Sequence, residues 1–287
     1  MSPASPSYVL KLLCPDRMGI VAGVSGFLAE QDCNIVESSH FGDENTEKFF
    51  MRAVFVSGNG TPILEHLQAA FAVIGNCFKM DWAMHSQSTT QRVMILVSKI
   101  DHYLNDLLYR YRTGKIAMEI PAVVSNHPDL KPLADFHGIP FHHLPVTADT
   151  KPEQEAKLMN LVEETGTELL VLARYMQILT DDFCSKLSGR IINIHHSFLP
   201  SFKGAKPYHQ APDKGVKLIG ATAHYVTPSL DEGPIIEQDT VRVSHVHTAE
   251  QMVTLGSNVE NIVLARAVSY HLEHRVLLNG SKTVVFA

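Results

Sequence analysis

The sequence predicts an α/β protein of two domains, and two observations carry this prediction. Residues 8 to about 85 show the order strand, helix, strand, strand, helix, strand, which is that of a ferredoxin-like sandwich. From residue 92 onward, short apolar strands alternate with amphipathic helices, which is typical of a mostly parallel sheet with helices on both faces. A chain of 287 residues is long enough for two such cores.

Local patterns predict each element of the first domain. Apolar residues at helical spacing from Ile20 to Leu28 indicate the first helix. The polar stretch Gly42–Asn45 indicates a hairpin turn, and Thr61 followed by Pro62 is typical of a helix start. The expected elements are, in order, a strand at Tyr8–Leu13, a helix from Gly19, strands at Cys33–Phe41 and Phe49–Val56, a helix from Thr61 through Ile74, and a strand at Cys77–Met84.

The polar residues 86–91 are predicted to link a first domain at 1–85 to a second domain at 92–287. In the second domain, buried runs of four to six apolar residues predict strands, and longer amphipathic runs predict helices. The expected strands are Arg92–Val97, Ile120–Ser125, Pro140–Leu144, Leu169–Leu172 and Arg190–Ile194, and the expected helices are Asp101–Arg112, Asp129–Phe136, Lys151–Thr165, Asp181–Leu187 and Thr248 to about Tyr270. An Asn279-Gly280 turn predicts a final hairpin that serves as scaffold.

Composition narrows the classes of function. The formal net charge is −6, without runs of like charge, which argues against nucleic acid or an anionic membrane as the main partner. No signal peptide and no membrane span are expected, and four scattered cysteines indicate reduced thiols in a cytoplasmic protein. The 16 histidines lack the spacing of a metal site, so no metal is predicted.

The first candidate for chemistry is the segment Ile192–Gly204, which follows a predicted strand. Strand alternation places Asn193 and His195 on one face and directs His196 away from it. An amide beside an imidazole suits addition to a carbonyl, because the amide N–H binds the developing oxyanion and the imidazole transfers protons. We expect residues 200–204 to form a loop that walls this site.

A second candidate lies in residues 220–238, which predict a strand, a polar loop and another strand. Asp231 occupies the loop, ahead of Gly233-Pro234, where a carboxylate could orient or charge an imidazole. His224 precedes the loop and either lines the pocket or packs within its strand. Ligands of such sheets bind at the carboxyl ends of the strands. Neither Gly-x-Gly-x-x-Gly nor a Walker A motif follows a strand, which argues against dinucleotides and ATP.

The residues Cys14-Pro-Asp-Arg-Met-Gly19, followed by a helix and Asn34-Ile35-Val36, resemble the opening of ACT domains. The resemblance implies a regulatory module that binds an amino-acid effector and a chain that forms a homodimer or homotetramer. The alternative is a tight strand-to-helix turn in a module that serves oligomerisation alone. The effector would lie near four residues: Asp16, Arg17, Gly19 and Asn34.

The motifs Asn-x-His-x-Ser-x-Leu-Pro and Asp-x-Gly-Pro together resemble the folate-dependent formyltransferase fold family, over essentially all of residues 92–287. The resemblance implies a Rossmann-like domain with catalytic Asn193, His195 and Asp231. The segment 172–179 resembles the family's lining of the pterin pocket. Counting His224, the expected folate-binding residues are Met176, Gln177, Leu179 and His224. The resemblance implies a folate substrate and neither cofactor nor metal.

One branch of that family resembles the chain from end to end. The stretch Ser98–His102 lacks the glycines with which glycinamide ribonucleotide formyltransferases hold a phosphate. The doubled His195-His196 and the leading ACT-like domain are similar to formyltetrahydrofolate deformylases. This implies hydrolysis of 10-formyltetrahydrofolate to formate and tetrahydrofolate, which supplies formate for purine biosynthesis and balances the one-carbon pool. The alternatives are a formyltransferase with an amine acceptor and an amino-acid-sensing binding protein with a degenerate enzyme domain.

Overall fold

The computed structural model describes residues 6–58, 63–147, 149–197 and 215–287. The chain divides into two compact units. The first comprises Met1–Thr90, Glu273–Asn279 and Val284–Ala287, and the second comprises Gln91–Leu272 and Gly280–Thr283. The sequence analysis assigned all of 92–287 to one domain, whereas much of the C-terminal segment belongs to the first unit. No pattern in the sequence marks this return of the chain.

The first unit contains a four-stranded antiparallel sheet in the order β2-β3-β1-β4. This order confirms the ferredoxin-like topology that the alternation of elements predicts. The elements are β1 (Ser7–Pro15), α1 (Ile20–Glu30), β2 (Cys33–Asp43), β3 (Lys48–Ser57), α2 (Leu64–Phe78) and β4 (Asp81–Ser86).

Helix α2 ends later than the sequence analysis predicted, so the expected strand from Cys77 was wrong at its first residues. Phe71, Ile74 and Phe78 continue the spacing of an apolar helical stripe and contact the core of the unit. Lys79 then adopts the left-handed conformation at φ 54°, which ends the helix. The predicted helix start at Thr61 and Pro62 lies outside the described residues.

The two faces of this sheet bury different kinds of residue. On one face, Leu12, Met51 and Phe55 pack against the helices. On the other face, alternation along β3 places Arg52, whose side chain is only 2% exposed. Its Nε and Nη2 groups donate to the carbonyl oxygen of Glu273, at 3.2 and 3.1 Å, and Nη1 pairs with Glu37 at 2.6 Å. The C-terminal segment is therefore anchored on the second face.

The second unit contains a seven-stranded sheet in the order β11-β10-β9-β8-β5-β6-β7. The five strands from β9 to β7 are parallel and the last two antiparallel, which confirms the predicted mostly parallel sheet. The elements are β5 (Val93–Val97), α3 (His102–Arg112), β6 (Val123–Ser125), α4 (Lys131–Phe136), β7 (Phe141–His143), α5 (Lys151–Glu164), β8 (Leu169–Leu172), α6 (Asp181–Lys186), β9 (Ile191–His195), β10 (Leu218–Tyr225), β11 (Ile235–Arg242) and α7 (Ala249–Leu272). A two-stranded sheet of β12 (Val276–Asn279) and β13 (Lys282–Val285) ends the chain.

Helices cover this sheet on both sides, so its central strands are apolar throughout. Leu158 and Phe183, from α5 and α6, pack with Leu96 and Leu172 in one core cluster. Helix α7 packs against β9, β10, β11 and α3. The parallel strands β5, β8 and β9 end at one edge, where polar residues replace the apolar runs. No helix among the described residues has the length and apolar character that a bilayer crossing needs.

Candidate active site

The register of β9 and β10 brings Asn193 and His224 face to face. Directly opposed residues of an antiparallel pair share one face of the sheet. Nδ2 of Asn193 lies 3.3 Å from Nε2 of His224, and Nδ1 of His224 lies 2.9 Å from the carbonyl oxygen of Tyr225. A carbonyl oxygen only accepts, so Nδ1 carries a proton and donates it, and Nε2 is placed to accept from the amide of Asn193. His224 therefore fixes the orientation of the Asn193 amide.

His195 and Asp231 form the second half of the cluster. Nδ1 of His195 lies 3.2 Å from Oδ2 of Asp231, and Nε2 of His224 lies 3.7 Å from Oδ1 of the same carboxylate. The hydrogen bond from His195 is the largest cause that holds the pKa of Asp231 well below its usual range. The Nε2 atom of His195 is buried and has no hydrogen-bond partner among the described residues. That nitrogen is available to a bound molecule.

The loop before β11 explains the Asp-x-Gly-Pro pattern. Asp231 adopts the left-handed conformation at φ 55°, which an Asp tolerates better than most residues. A Cβ added to Gly233 would lie 1.7 Å from the carbonyl oxygen of Tyr225 and 3.2 Å from Nδ1 of His224. The carbonyl oxygen of Pro234 accepts from the backbone N–H of Tyr225 at 2.9 Å. Only a glycine lets the loop approach the end of β10 so closely.

His196 does not point away from the cluster, so the sequence analysis was wrong here. Strand β9 ends at His195, and strand alternation no longer applies to the bend that follows. The rings of His195 and His196 are 5.2 Å apart, and both residues line the same cavity. Burial, together with the nearby positive charge of Arg174, lowers the pKa of His196 to about 3. His196 thus presents a neutral imidazole at neutral pH.

A cavity of about 460 Å³ lies beside this cluster. This volume is in the range of small-molecule sites. One wall is the segment after β8, and another is the loop before Asp231. The segment after β8 includes Met176, Gln177 and Leu179, which the sequence analysis assigned to the folate, and Arg174 in the left-handed conformation at φ 65°. Asn193, His195, His224 and Asp231 all line the cavity. The expected wall at residues 200–204 lies outside the described residues.

Sequence analysis missed the support of the segment after β8. The backbone N–H of Met176 donates to Oγ of Ser98 at 3.0 Å, and that hydroxyl donates to Oδ1 of Asn126 at 2.7 Å. Ser98 and Asn126 are buried at the ends of β5 and β6. A polar residue directly after a buried parallel strand was the signal that could have indicated this role. Their hydrogen bonds hold one wall of the cavity.

The four residues assigned to an effector lie in the first unit. Gly19 precedes α1 with φ 91°, a conformation that favours glycine. The guanidinium of Arg17 donates to the carbonyl oxygen of Cys77 and lies 4.4 Å from the centre of the Phe78 ring. Arg17 therefore holds the end of α2 in this structure. Asp16 and Asn34 are exposed on their loop and on β2.

Within the described part of the chain, no group of three or more His, Cys, Asp or Glu residues is placed to hold a metal ion. The cluster instead offers an amide, two imidazoles and one carboxylate, which is equipment for moving protons and stabilising an oxyanion.

Comparison with known families agrees with the two-domain organisation. Residues 8–74 match the ACT domain model, and residues 91–268 match the model named Formyl transferase. The glycinamide ribonucleotide transformylase 1 structure from Symbiobacterium toebii is 29% identical, with a TM-score of 0.66, over 71% of this chain and 97% of that one.

Full-length relatives are more similar. A formyltetrahydrofolate deformylase of Corynebacterium sp. (strain P-1) is 48% identical over 278 residues, or 97% of each chain. The crystal structure of the Burkholderia mallei formyltetrahydrofolate deformylase is 50% identical, covers 98% of this chain and 100% of its own, and gives a TM-score of 0.94. With this similarity over both units, the chain belongs to the formyltetrahydrofolate deformylase family of hydrolases.

Proposed function

We propose that this chain hydrolyses 10-formyltetrahydrofolate to formate and tetrahydrofolate, with Asn193, His195 and Asp231 as its reacting groups. One observation carries the proposal: an amide, an imidazole and a carboxylate from separate segments line one cavity of about 460 Å³. Such a cavity suits a pterin ring and the nearby N10 atom with its formyl group. The similarity to full-length deformylases supports water as the acceptor.

His195 is the group that moves the proton. The lowered pKa of Asp231 makes its carboxylate a weak base, since hydrogen bonding with His195 stabilises the ionised form. Asp231 accepts from Nδ1 of His195, which leaves the lone pair of Nε2 free to take a proton from water. The resulting imidazolium is stabilised by the adjacent carboxylate. Asp231 thus orients and charges His195, and His195 acts as base.

Asn193 stabilises the oxyanion. One hydrogen of its Nδ2 group is directed at Nε2 of His224, and the second remains to donate to the formyl oxygen as negative charge develops there. Because His224 donates from Nδ1 to a backbone carbonyl, its ring has a fixed orientation. The donor is therefore held in place before the substrate binds.

The steps balance in atoms and charge. Water gives one proton to Nε2 of His195, and its oxygen bonds to the formyl carbon to form a tetrahedral intermediate. The C–N10 bond then breaks, and His195 returns the proton to N10 as the amine leaves. Formic acid ionises to formate, and tetrahydrofolate is released. Each proton transfer passes through Nε2 of His195, a buried nitrogen that has no hydrogen-bond partner among the described residues.

An assay without an acceptor amine tests the proposal. Purified protein is mixed with 10-formyltetrahydrofolate alone, and formate and tetrahydrofolate are both measured. We expect equal amounts of the two products, and a rate about 10²- to 10³-fold lower with Asn193→Ala. Formyl transfer that requires glycinamide ribonucleotide or another amine would support the transferase alternative. No turnover with either acceptor would support the binding-protein alternative.

A small-molecule effector at the ACT domain is a second part of the proposal. The open strand-to-helix turn at Asp16 and Gly19 supports it, whereas the contact of Arg17 with Cys77 favours a structural role. Calorimetry of the full-length chain with glycine and with methionine tests for binding, and light scattering tests for the expected homodimer or homotetramer. The expected cytoplasmic location stays a prediction.

A further inference from the structure

The end of helix α7 is held by hydrogen bonds at three consecutive residues. Nδ1 of His271 lies 2.7 Å from the Tyr225 hydroxyl. The carbonyl oxygen of Leu272 accepts from Nε2 of Gln91 at 3.2 Å, and that of Glu273 accepts twice from Arg52. Carbonyl groups in the last turn of a helix lack partners within the helix, and a positive charge there is favourable. These contacts provide hydrogen-bond partners for the C-terminal end of α7 and the residue that follows it.

Tyr225 joins this helix end to the catalytic cluster. Its ring is buried, and burial raises the pKa of its hydroxyl well above the usual range, so the proton remains in place for the contact with His271. Tyr225 directly follows His224, and its carbonyl oxygen lies 2.9 Å from Nδ1 of His224. A displacement of Tyr225 therefore rotates or frees the His224 ring.

The His224 ring in turn orients the reacting amide. Its Nε2 atom lies 3.3 Å from Nδ2 of Asn193, the donor assigned to the oxyanion. Strand β10 has an irregular register with β11 between Ala223 and His224, whereas its pairing with β9 is regular and sets the backbone of His224 opposite Asn193. Strand pairing fixes the backbone of His224 but not the rotation of its ring, which the contact with the Tyr225 carbonyl constrains.

We propose that Tyr225 and His271 are positioning residues for the catalytic amide. They act through His224, and Arg52 contributes by holding the chain where it leaves α7. The catalytic role of Asn193 rests on the proposed function, whereas the contacts of Tyr225 and His271 are independent of it. Arg52 lies on β3, and the carbonyl group that it binds belongs to Glu273, the residue that directly follows α7.

A double-mutant cycle tests the route in the full-length chain. Tyr225→Phe removes the hydroxyl, and Arg52→Lys keeps the charge but loses the paired donors to Glu273. Each change alone should lower kcat for 10-formyltetrahydrofolate hydrolysis, by about tenfold for Tyr225→Phe, the upper end of the effect of one hydrogen bond, with KM changed less than twofold. The kcat of the double variant should be about equal to that of the slower single variant, because both changes interrupt the same series of contacts.

A matched control separates positioning from stability. Nδ2 of Asn279 donates to the buried carboxylate of Asp43 at 2.7 Å and holds the same C-terminal segment beyond the route. Asn279→Ala should lower thermal stability but leave kcat within twofold. If Arg52→Lys does not fold, Gln91→Ala, which frees the Leu272 carbonyl, replaces it in the cycle.

Imidazole nitrogen NMR distinguishes failure of this proposal from failure of the proposed function. In wild type, the Nδ1 atom of His224 should be protonated, and Arg52→Lys should shift the His271 and His224 signals whether or not the protein releases formate. Rate losses that multiply in the double variant, or unchanged kcat in both single variants, would overturn the proposal. If wild type shows no turnover, unchanged imidazole signals in Arg52→Lys would overturn it.

Discussion

Nδ1 of His195, at the end of β9, lies 3.2 Å from Oδ2 of Asp231, which the chain supplies from the loop before β11. Asp231→Asn keeps the shape of the side chain and tolerates the left-handed backbone, but it removes the charge that stabilises the imidazolium. We expect kcat to fall by about 10³-fold or more, with a smaller change in KM, in the acceptor-free assay. Asp239→Asn, which alters an exposed pair with Arg266, is the control and should keep wild-type turnover. Near-normal turnover of Asp231→Asn would mean that the site is misassigned.

Gly233→Ala should damage both activity and stability. Its Cβ would meet the Tyr225 carbonyl at 1.7 Å, so the backbone that carries Asp231 has to move. A displacement of about 1 Å at a catalytic group can lower the rate about 100-fold. Kinetics and thermal denaturation together measure the effect. Gly26→Ala is the control, because a Cβ there meets nothing within 4 Å and alanine favours a helix. Equal behaviour of the two variants would contradict the assigned role of the loop.

His196 should remain neutral well into the acid range. Burial lowers its pKa to about 3, against 6.5 for a free side chain. An NMR titration should therefore show little change in the His196 ring signals between pH 8 and pH 5. A midpoint near 6.5 would show that the ring is exposed to water instead.

The same shift in pKa predicts how stability depends on pH. Because the folded state binds the proton less tightly than the unfolded state, the contribution of His196 to stability falls as the pH drops below about 6.5 and is fully lost near 3. The concentration of urea at the unfolding midpoint should thus be lower at pH 5 than at pH 7. His196→Gln should show a smaller difference between the two. An identical difference in both proteins would count against the shift.

Ser98→Ala should weaken substrate binding more than chemistry. The change leaves the Met176 N–H without its acceptor and removes the donor to Asn126, so the wall formed by the segment after β8 becomes less fixed. We expect KM for 10-formyltetrahydrofolate to rise several-fold and kcat to stay within about twofold, because the reacting groups lie elsewhere. Ser125→Ala is matched in burial, and the Ser125 hydroxyl hydrogen-bonds to the carbonyl oxygen of Ser98 and the backbone N–H of His127, not to Met176 or Asn126 among the described residues. A similar KM in both variants would show that the Ser98 hydroxyl does not hold the segment after β8 in place.

The periodicity of apolar and polar residues predicted most of the fold, because each face of a strand or helix is directed either to the core or to solvent. This reasoning placed Asn193 and His195 together and found both sheets. It failed at His196, because strand β9 ends one residue earlier. It also failed at Cys77, because the helix α2 continues to Phe78 through residues whose pattern is equally compatible with a strand. Local periodicity carries no information on where an element stops unless a turn residue marks the position.

The sequence predicted only in part which side chains come together in the candidate active site. Motif resemblance joined Asp231 to His195, but nothing in the sequence shows that His224 faces Asn193, since this depends on the antiparallel register of β10. The hydrogen bond of Ser98 to Met176 links two segments far apart in the chain. Such contacts follow from tertiary packing rather than from local pattern, as does the bond of Arg52 with Glu273.

The anchoring of the C-terminal segment limits how the chain can be dissected. Arg52 donates two hydrogen bonds to the carbonyl group of Glu273, which follows residues 91–272 of the second unit in the chain. A fragment that stops at Thr90 would leave this guanidinium with no acceptor there and would also deprive Asp43 of Asn279. The first unit is thus discontinuous along the chain, so its excision or transplantation into another protein would require residues 273–279 and 284–287 to be included.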